Sequence, residues 1–130
     1  MGPIRIQRSR TKGWALSPGT VYVGRPSKWG NPYKIVNFRV MAKKGTPEQE
    51  AEYLHQMLKL YRRYITEVRP DLAAAAKVEL AGRNLVCWCP LYDENGGRIP
   101  CHADILLQIA NGWSDDEARR LLSFRREEMQ

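Results

Sequence analysis

The three cysteines of this 130-residue chain all lie in two short stretches, and those stretches constrain its fold more than any other feature. Cys87-Trp88-Cys89 ends an apolar run that predicts a short buried strand over residues 85–89. Cys101 and His102 stand at the start of a predicted helix that ends near residue 111, and Asp104 lies in its first turn. Sulfur, imidazole and carboxylate are therefore expected to meet where a strand end faces a helix start, which is the usual ligand position in open α/β folds.

The length predicts one domain, spanning residues 1–130, that is large enough to bury a core. No apolar run approaches the roughly 18 residues of a membrane span, and the start of the chain is polar and basic, unlike a signal peptide. These features predict a cytoplasmic protein without membrane contact. Cytosolic thiols stay reduced, so three cysteines favour metal binding or catalysis over a disulfide framework.

The net charge of +7 is distributed unevenly. Residues 1–44 contain ten Lys or Arg and no Asp or Glu, whereas the rest of the chain has eleven basic and fourteen acidic residues. A basic first third, beginning with an arm over residues 1–14, predicts an anionic partner such as nucleic acid or a phosphorylated small molecule. A generically basic surface is the alternative interpretation.

The order of predicted elements favours an α/β fold, a small single-domain sheet with flanking helices and a βα unit around the cysteine-rich segment. Thr46, Pro47 and Gln49 form a helix-start signal, and a second one begins at Ser114. The predicted strands cover residues 4–7, 21–23, 33–40 and 85–89. The predicted helices cover residues 47–69, 72–80, 102–111 and 114–128, and Gly82 is expected to end the second.

A zinc site is one interpretation of the cysteines. Cys87, Cys89, Cys101 and His102 make a Cys3His ligand set, which suits structural zinc. The Cys-x-Cys spacing differs from the common Cys-x2-Cys pattern, and an adjacent Cys-His pair is unusual for one ion. Burial of Cys87 and Cys89 as small hydrophobic residues in a core strand is the competing interpretation.

A catalytic thiol is the second interpretation of the same residues. A cysteine beside a helix N-terminus, as predicted for Cys101, has a lowered pKa. His102 and Asp104 are then candidates for acid–base work beside it. An acidic residue in the first turn of a helix is also ordinary compensation of the helix dipole, so Asp104 has a structural explanation as well.

A loop rich in glycine and proline follows the predicted strand at residues 21–23. It supplies cations for phosphate, glycines for close backbone approach and an aromatic ring for stacking, although it is not a Walker loop. Packing of the loop with its tryptophan in the core is the alternative. The candidate ligand-binding residues here and in the preceding arm are Lys12, Trp14, Gly24, Arg25, Lys28, Trp29 and Asn31. Arg5, Arg8 and Arg10 complete a basic run that suits phosphate tracking.

Three segments together resemble DUF4326, a family of uncharacterised domains found in bacteria, archaea and phages. They are Arg10-Thr11-Lys12-Gly13-Trp14, the stretch VYVGRPSKWGNP at residues 21–32, and CWCP at 87–90 with PCHADILL at 100–107. The resemblance implies a compact α/β domain with a site built from these segments, and it supplies no activity. The connection over residues 91–99 is longer than is usual for the family.

The expected function is to bind or act on a nucleotide, nucleoside or nucleic acid, and whether the protein is an enzyme is left open. Cations would hold phosphate, a tryptophan would stack, and Cys101, His102 and Asp104 would do any chemistry. Two other functions compete with this one. The first is a zinc-stabilised accessory protein that binds nucleic acid without catalysis, and the second is a small protein-interaction module.

Overall fold

The computed structural model of the protein describes residues 2–33 and 46–122. Three strands and four helices follow one another along the described chain, with one π-helical segment between the first two helices. The strands are β1 (Arg5–Gln7), β2 (Val21–Tyr22) and β3 (Leu85–Cys87). The helices are α1 (Pro47–Arg63), α2 (Pro70–Glu79), α3 (His102–Asn111) and α4 (Asp115–Leu122), and the π-helical segment is Tyr64–Val68. This arrangement confirms the predicted α/β class.

The three strands form one parallel sheet in the order β1-β3-β2. Arg5 pairs with Leu85 on one side of the central strand, and Val21 pairs with Leu85 on the other. All three residues of β3 are buried. A central parallel strand covered on both faces is typically an unbroken apolar run, which is the pattern that made this strand recognisable.

Local signals explain where the helices begin and end. Thr46 caps α1 through a reciprocal capping box with Gln49. The predicted single helix over residues 47–69 instead becomes π-helical at its end, and Pro70 then begins α2. Gly112 ends α3 with a φ of 67°, a left-handed conformation that a glycine adopts without strain.

The core lies between the sheet and the helices. Helix α3 packs against β1 and β3 on one side and against α1 and α2 on the other. Its residues from His102 to Leu107 are all buried. The largest completely buried side chains are Tyr61, Ile65, Leu80, Leu85, Leu106, Leu107, Val23, Val86 and Cys87. The start of α3 is therefore held rigidly against the end of the central strand.

Two predicted elements extend beyond the described residues. The predicted strand at 33–40 lies almost wholly outside them, as does the end of the predicted helix at 114–128, of which α4 is the described part. Ser114 caps α4 together with Glu117, as its sequence signal predicts. Among the described helices, none is long and apolar enough to cross a membrane.

Candidate functional site

The three cysteines converge at the carboxyl end of β3 and form what we call the cysteine centre: Cys87, Cys89 and Cys101. Their sulfur atoms all lie within 4.8 Å of one another, and the Cys87 and Cys101 sulfurs are 3.4 Å apart. Cys87 and Cys101 are buried, and Cys89 is half-buried. All three are free thiols. The predicted meeting of strand end and helix start is confirmed.

Cys101 is the N-cap of α3, a position that usually holds Ser, Thr, Asp or Asn. Its sulfur accepts a hydrogen bond from the Ala103 backbone N–H at 3.3 Å. Its own backbone N–H donates to Asp104 Oδ2 at 3.1 Å, which completes a capping box. The sulfur thus lies at the positive end of a helix dipole, where a thiolate is stabilised.

The thiols of the centre differ in acidity. Burial alone would raise the pKa of Cys101, but hydrogen bonds with Cys87, Cys89 and His102, together with the charge of Arg5, hold that pKa well below its usual value. Hydrogen bonding to Cys101 and Cys89, with burial, raises the pKa of Cys87. The centre therefore favours one negative charge, centred on Cys101.

His102 joins the cysteine centre to the β2 strand. Its Nε2 lies 2.8 Å from the Val23 carbonyl oxygen, which can only accept, so Nε2 carries the proton and Nδ1 is the nitrogen available to the thiols. Burial lowers the pKa of His102, but hydrogen bonds with Cys101 and Cys89 outweigh burial and raise it to about 10. The imidazole is thus oriented by a backbone carbonyl on one side and faces sulfur on the other.

Asp104 lies between two arginines. Its Oδ2 accepts from Arg5 Nη1 at 3.2 Å, and its Oδ1 accepts from Arg98 Nη2 at 3.0 Å. The Arg5 side chain is completely buried, and its Nη2 also donates to the Pro90 and Ile99 carbonyl oxygens at 2.8 and 2.7 Å. Burial raises the pKa of Asp104, although Arg5 opposes that shift. The expectation that Arg5 belongs to an exposed phosphate-tracking run is wrong, because this pairing draws it into the interior.

The loop at residues 24–32 is held by its own polar side chains. Arg25 donates to the Asn31 and Tyr33 carbonyl oxygens through contacts of 2.6 to 2.9 Å. Trp29 is only 4 % exposed, so its ring lies in the core and offers little surface to a stacking base. Lys28 pairs with Glu79 at 2.9 Å.

The remaining predicted ligand residues divide into a packed group and an exposed one. A Cβ on Gly24 would lie 2.5 Å from the Tyr22 hydroxyl, so close packing explains this glycine. Asn31 is buried, and its Oδ1 accepts from the Tyr33 backbone N–H. Lys12 is exposed and Trp14 half-buried in the segment before β2. The ligand-binding role predicted for all of them stays a prediction.

Two aromatic residues that the sequence did not single out contact the basic arm. The Arg8 guanidinium lies 4.8 Å from the Tyr22 ring centroid and 5.1 Å from that of Trp88, and Arg10 lies 4.8 Å from the Trp88 centroid. Trp88 is 40 % exposed. We call Arg8, Arg10, Tyr22 and Trp88 the arginine–aromatic surface. Trp88 follows the end of β3 directly, at a bend between the two buried or half-buried cysteines.

The cysteine centre has the dimensions of a metal site. Its three sulfurs are close enough together to hold one metal ion. A tetrahedral site with metal–sulfur bonds of about 2.3 Å has sulfurs about 3.8 Å apart, near the 3.4 Å that separates Cys87 from Cys101. The C-x-C spacing is therefore compatible with one shared ion. Cys87 and Cys89 supply two of the sulfurs, and Cys101 at the start of α3 supplies the third.

Comparisons with known proteins give one match. No curated protein and no solved structure matches the chain. The sequence model of a family described as a domain of unknown function, DUF4326, matches residues 6–112, which include the cysteine centre, the loop at 24–32 and the whole arginine–aromatic surface. The chain belongs to the DUF4326 family.

Proposed function

We propose that this protein binds single-stranded nucleic acid through the arginine–aromatic surface. The observation that carries the proposal is the cation–π contact of Arg8 and Arg10 with Trp88, which is still 40 % exposed. Aromatic rings beside guanidinium groups are the combination that single-stranded nucleic acids use, with bases on the rings and phosphates on the cations. The surface lies at the carboxyl ends of the three parallel strands, the edge where α/β folds bind ligands.

The two arginines have donors to offer a phosphate. The guanidinium carbons of Arg8 and Arg10 lie 5.1 and 4.8 Å from the Trp88 ring centroid, which is within cation–π range. Within residues 2–33 and 46–122, no hydrogen bond or ion pair engages the side chain of Arg8 or Arg10, in contrast to Arg5, Arg25 and Arg98. The absence of acidic residues from 1 to 44 adds a long-range attraction for polyanions.

The nucleic-acid proposal is tested by fluorescence anisotropy with labelled 20-nucleotide single-stranded DNA and RNA. The double variant Arg8→Ala/Arg10→Ala is expected to bind at least tenfold more weakly and to lower the slope of log K against log salt by about two. Trp88→Ala is expected to weaken binding about tenfold through the loss of one stacked base.

Lys77→Ala/Arg83→Ala is the matched control, since it removes two exposed cations elsewhere and should change binding little. The proposal fails if the wild type does not bind at 50 mM salt, or if this control weakens binding as much as the arginine variant does. Equal affinity for duplex DNA would replace single-strand recognition by general polyanion binding. Capture of another protein but no nucleic acid would favour the interaction-module alternative.

We also infer that the cysteine centre holds a zinc ion, with Cys87, Cys89 and Cys101 supplying three sulfur ligands that lie within 4.8 Å of one another. His102 is the proposed fourth ligand, and its ring does not belong to that group of converging atoms. Thiolates and imidazole suit zinc, and a ligating histidine commonly donates its other N–H to a backbone carbonyl, as His102 does to Val23. Because Cys87 and Cys89 flank Trp88, an ion that fixes both cysteines also fixes the backbone that presents the indole. A cytoplasmic location keeps these thiols reduced.

Charge supports the zinc proposal. Near the cysteine centre, Arg5 and Arg98 carry two positive charges and Asp104 one negative charge. An uncompensated buried charge is costly. Zinc with three thiolates and a neutral imidazole has a net charge of −1, which neutralises the excess. In the metal-free centre, the raised pKa of His102 favours an imidazolium beside the Cys101 thiolate, and these two charges cancel, so the excess positive charge stays. Metal content tests this account.

Elemental analysis of protein purified without chelator tests the ion. We expect one zinc per chain after dialysis, and we expect Cys89→Ser to lose zinc and to bind nucleic acid more weakly. Cys89 is the least buried of the three, so this variant perturbs packing least. Absence of zinc from folded wild type, or full zinc retention in Cys89→Ser, would contradict the site. Catalysis by Cys101, His102 and Asp104 stays a prediction and is not needed for this function.

A further inference from the structure

We propose that a second site, a basic cavity between α1, α3 and α4, binds a small phosphorylated ring compound of the nucleotide class. The cavity has a volume of about 690 Å³. Ligand sites typically have volumes of about 300–1,000 Å³. None of its lining residues belongs to the arginine–aromatic surface, so this site is separate from the surface proposed to bind nucleic acid.

The charges around the cavity favour an anion. Four cations line it, against two carboxylates: Lys59, Arg62, Arg98 and Arg119 against Asp104 and Asp115. Arg98 pairs with Asp104, and Arg119 pairs with the exposed Asp116. Within residues 2–33 and 46–122, Lys59 and Arg62 are therefore the lining cations that form no ion pair. The cations come from three different segments of the chain, and only their folding together makes the site.

The polar wall of the cavity is held in place before any ligand arrives. Arg62 Nη2 donates to Gln108 Oε1 at 2.9 Å, and Gln108 Nε2 donates to Asp115 Oδ1 at 2.8 Å. This chain of contacts links α1, α3 and α4. Arg98, on the opposite segment, is 13 % exposed and fixed by Asp104. Pre-positioned donors reduce the entropy lost when a ligand binds.

The rest of the lining is apolar, which indicates that the ligand is more than a free phosphate. Leu58, Ile105, Ala118 and Leu122 supply this surface. A compound with a phosphate ester for the cations and a flat ring for the aliphatic side chains matches both parts of the wall, and a nucleoside monophosphate has this composition.

Isothermal titration calorimetry with AMP, adenosine and inorganic phosphate tests the site. We expect AMP to bind at least tenfold more tightly than either fragment, because each fragment uses only part of the wall. The variant Lys59→Ala/Arg62→Ala removes two exposed cations of α1 and is expected to weaken AMP binding at least tenfold. Lys77→Ala/Arg83→Ala, the matched control on another part of the surface, should leave AMP binding unchanged.

Several results would overturn the proposal. No heat with millimolar AMP, adenosine that binds as well as AMP, or unchanged AMP binding by Lys59→Ala/Arg62→Ala would each do so. If Arg8→Ala/Arg10→Ala abolishes AMP binding instead, the nucleotide occupies the arginine–aromatic surface, and the cavity is not its site. Since the cavity variant should bind single-stranded DNA normally, the two proposals fail independently.

Discussion

The cysteine centre and the arginine–aromatic surface lie at the carboxyl end of the same three strands, yet they treat charged groups in opposite ways. Beside the cysteine centre, Asp104 is buried and pairs with Arg5 and Arg98. At the arginine–aromatic surface, Arg8 and Arg10 contact aromatic rings, and their side chains form no hydrogen bond with any residue that the structure describes. Cys87 and Trp88 are adjacent in the chain and belong to the two different regions.

This contrast shows that the residue type alone does not predict whether an arginine is structural or available to bind a ligand. Arginines at positions 5 and 8 are separated by two residues, but Arg5 is buried against Asp104, whereas Arg8 is half-buried and contacts two aromatic rings. Arg5 lies in β1 and Arg8 follows the end of that strand. A buried ion pair stabilises only while complete, whereas an exposed cation can be removed with little effect on the fold.

The largest effect is expected for Asp104→Asn. Loss of the carboxylate leaves Arg5 and Arg98 without their buried partner, which typically costs about 3–5 kcal/mol of the free energy of unfolding. Urea unfolding measures the change. Asp116→Asn is the control, because Asp116 pairs with Arg119 at a similar distance but is 94 % exposed, and its loss should be barely measurable. If both variants lose the same small amount of unfolding free energy, the buried ion pairs of Asp104 are no stronger than an exposed one, and the contrast between the two regions is lost.

An intermediate effect is expected from substitution of two neighbours in the chain. In protein stripped of metal with a chelator, Cys87→Ala should reduce the free energy of unfolding by roughly 0.5–3 kcal/mol, since the residue is 1 % exposed. Trp88→Ala should leave stability nearly unchanged while it weakens binding of single-stranded DNA. Thermal melts and anisotropy on both variants provide the measurements. The comparison breaks down if Trp88→Ala destabilises the fold as much as Cys87→Ala does.

The smallest effect is expected for Lys28→Ala. Lys28 and Glu79 are about half exposed, and such pairs contribute only about 0.2–1 kcal/mol. The sequence predicts a phosphate-binding role for Lys28, whereas its pairing with Glu79 occupies the ammonium group. We therefore expect unchanged affinity for single-stranded DNA in anisotropy measurements. A tenfold loss would extend the binding surface to the loop at residues 24–32.

Local signals predicted the parts of the fold that depend on near neighbours in the chain. The capping boxes at Thr46 and Ser114 were readable because each is formed within four residues. The apolar run of β3 and the helix start at residue 102 together predicted that the cysteines converge. The strand was expected to reach residue 89 but ends at Cys87, where the chain bends to direct Cys89 back toward the other sulfurs.

Features that depend on distant pairs were not predictable. Arg5 and Asp104 are 99 positions apart, and nothing near Arg5 distinguishes it from the exposed arginines that follow. The sequence predicted stacking for Trp29 and not for Trp88, but the packing of the loop at 24–32 buries Trp29 and leaves Trp88 40 % exposed. The order of the strands in the sheet likewise depends on tertiary structure.

The strand order has a consequence for how the chain acquires its structure. Within residues 2–33 and 46–122, both outer strands hydrogen-bond to β3 and to no other strand, so their described pairing needs residues 85–87. During synthesis from the N-terminus, β1 and β2 therefore cannot pair with β3 until the residues of α1 and α2 have also been synthesised. Closing such long loops is slow relative to forming local contacts. Over this interval the nascent chain exposes a strongly cationic segment whose natural sheet partner has not yet emerged.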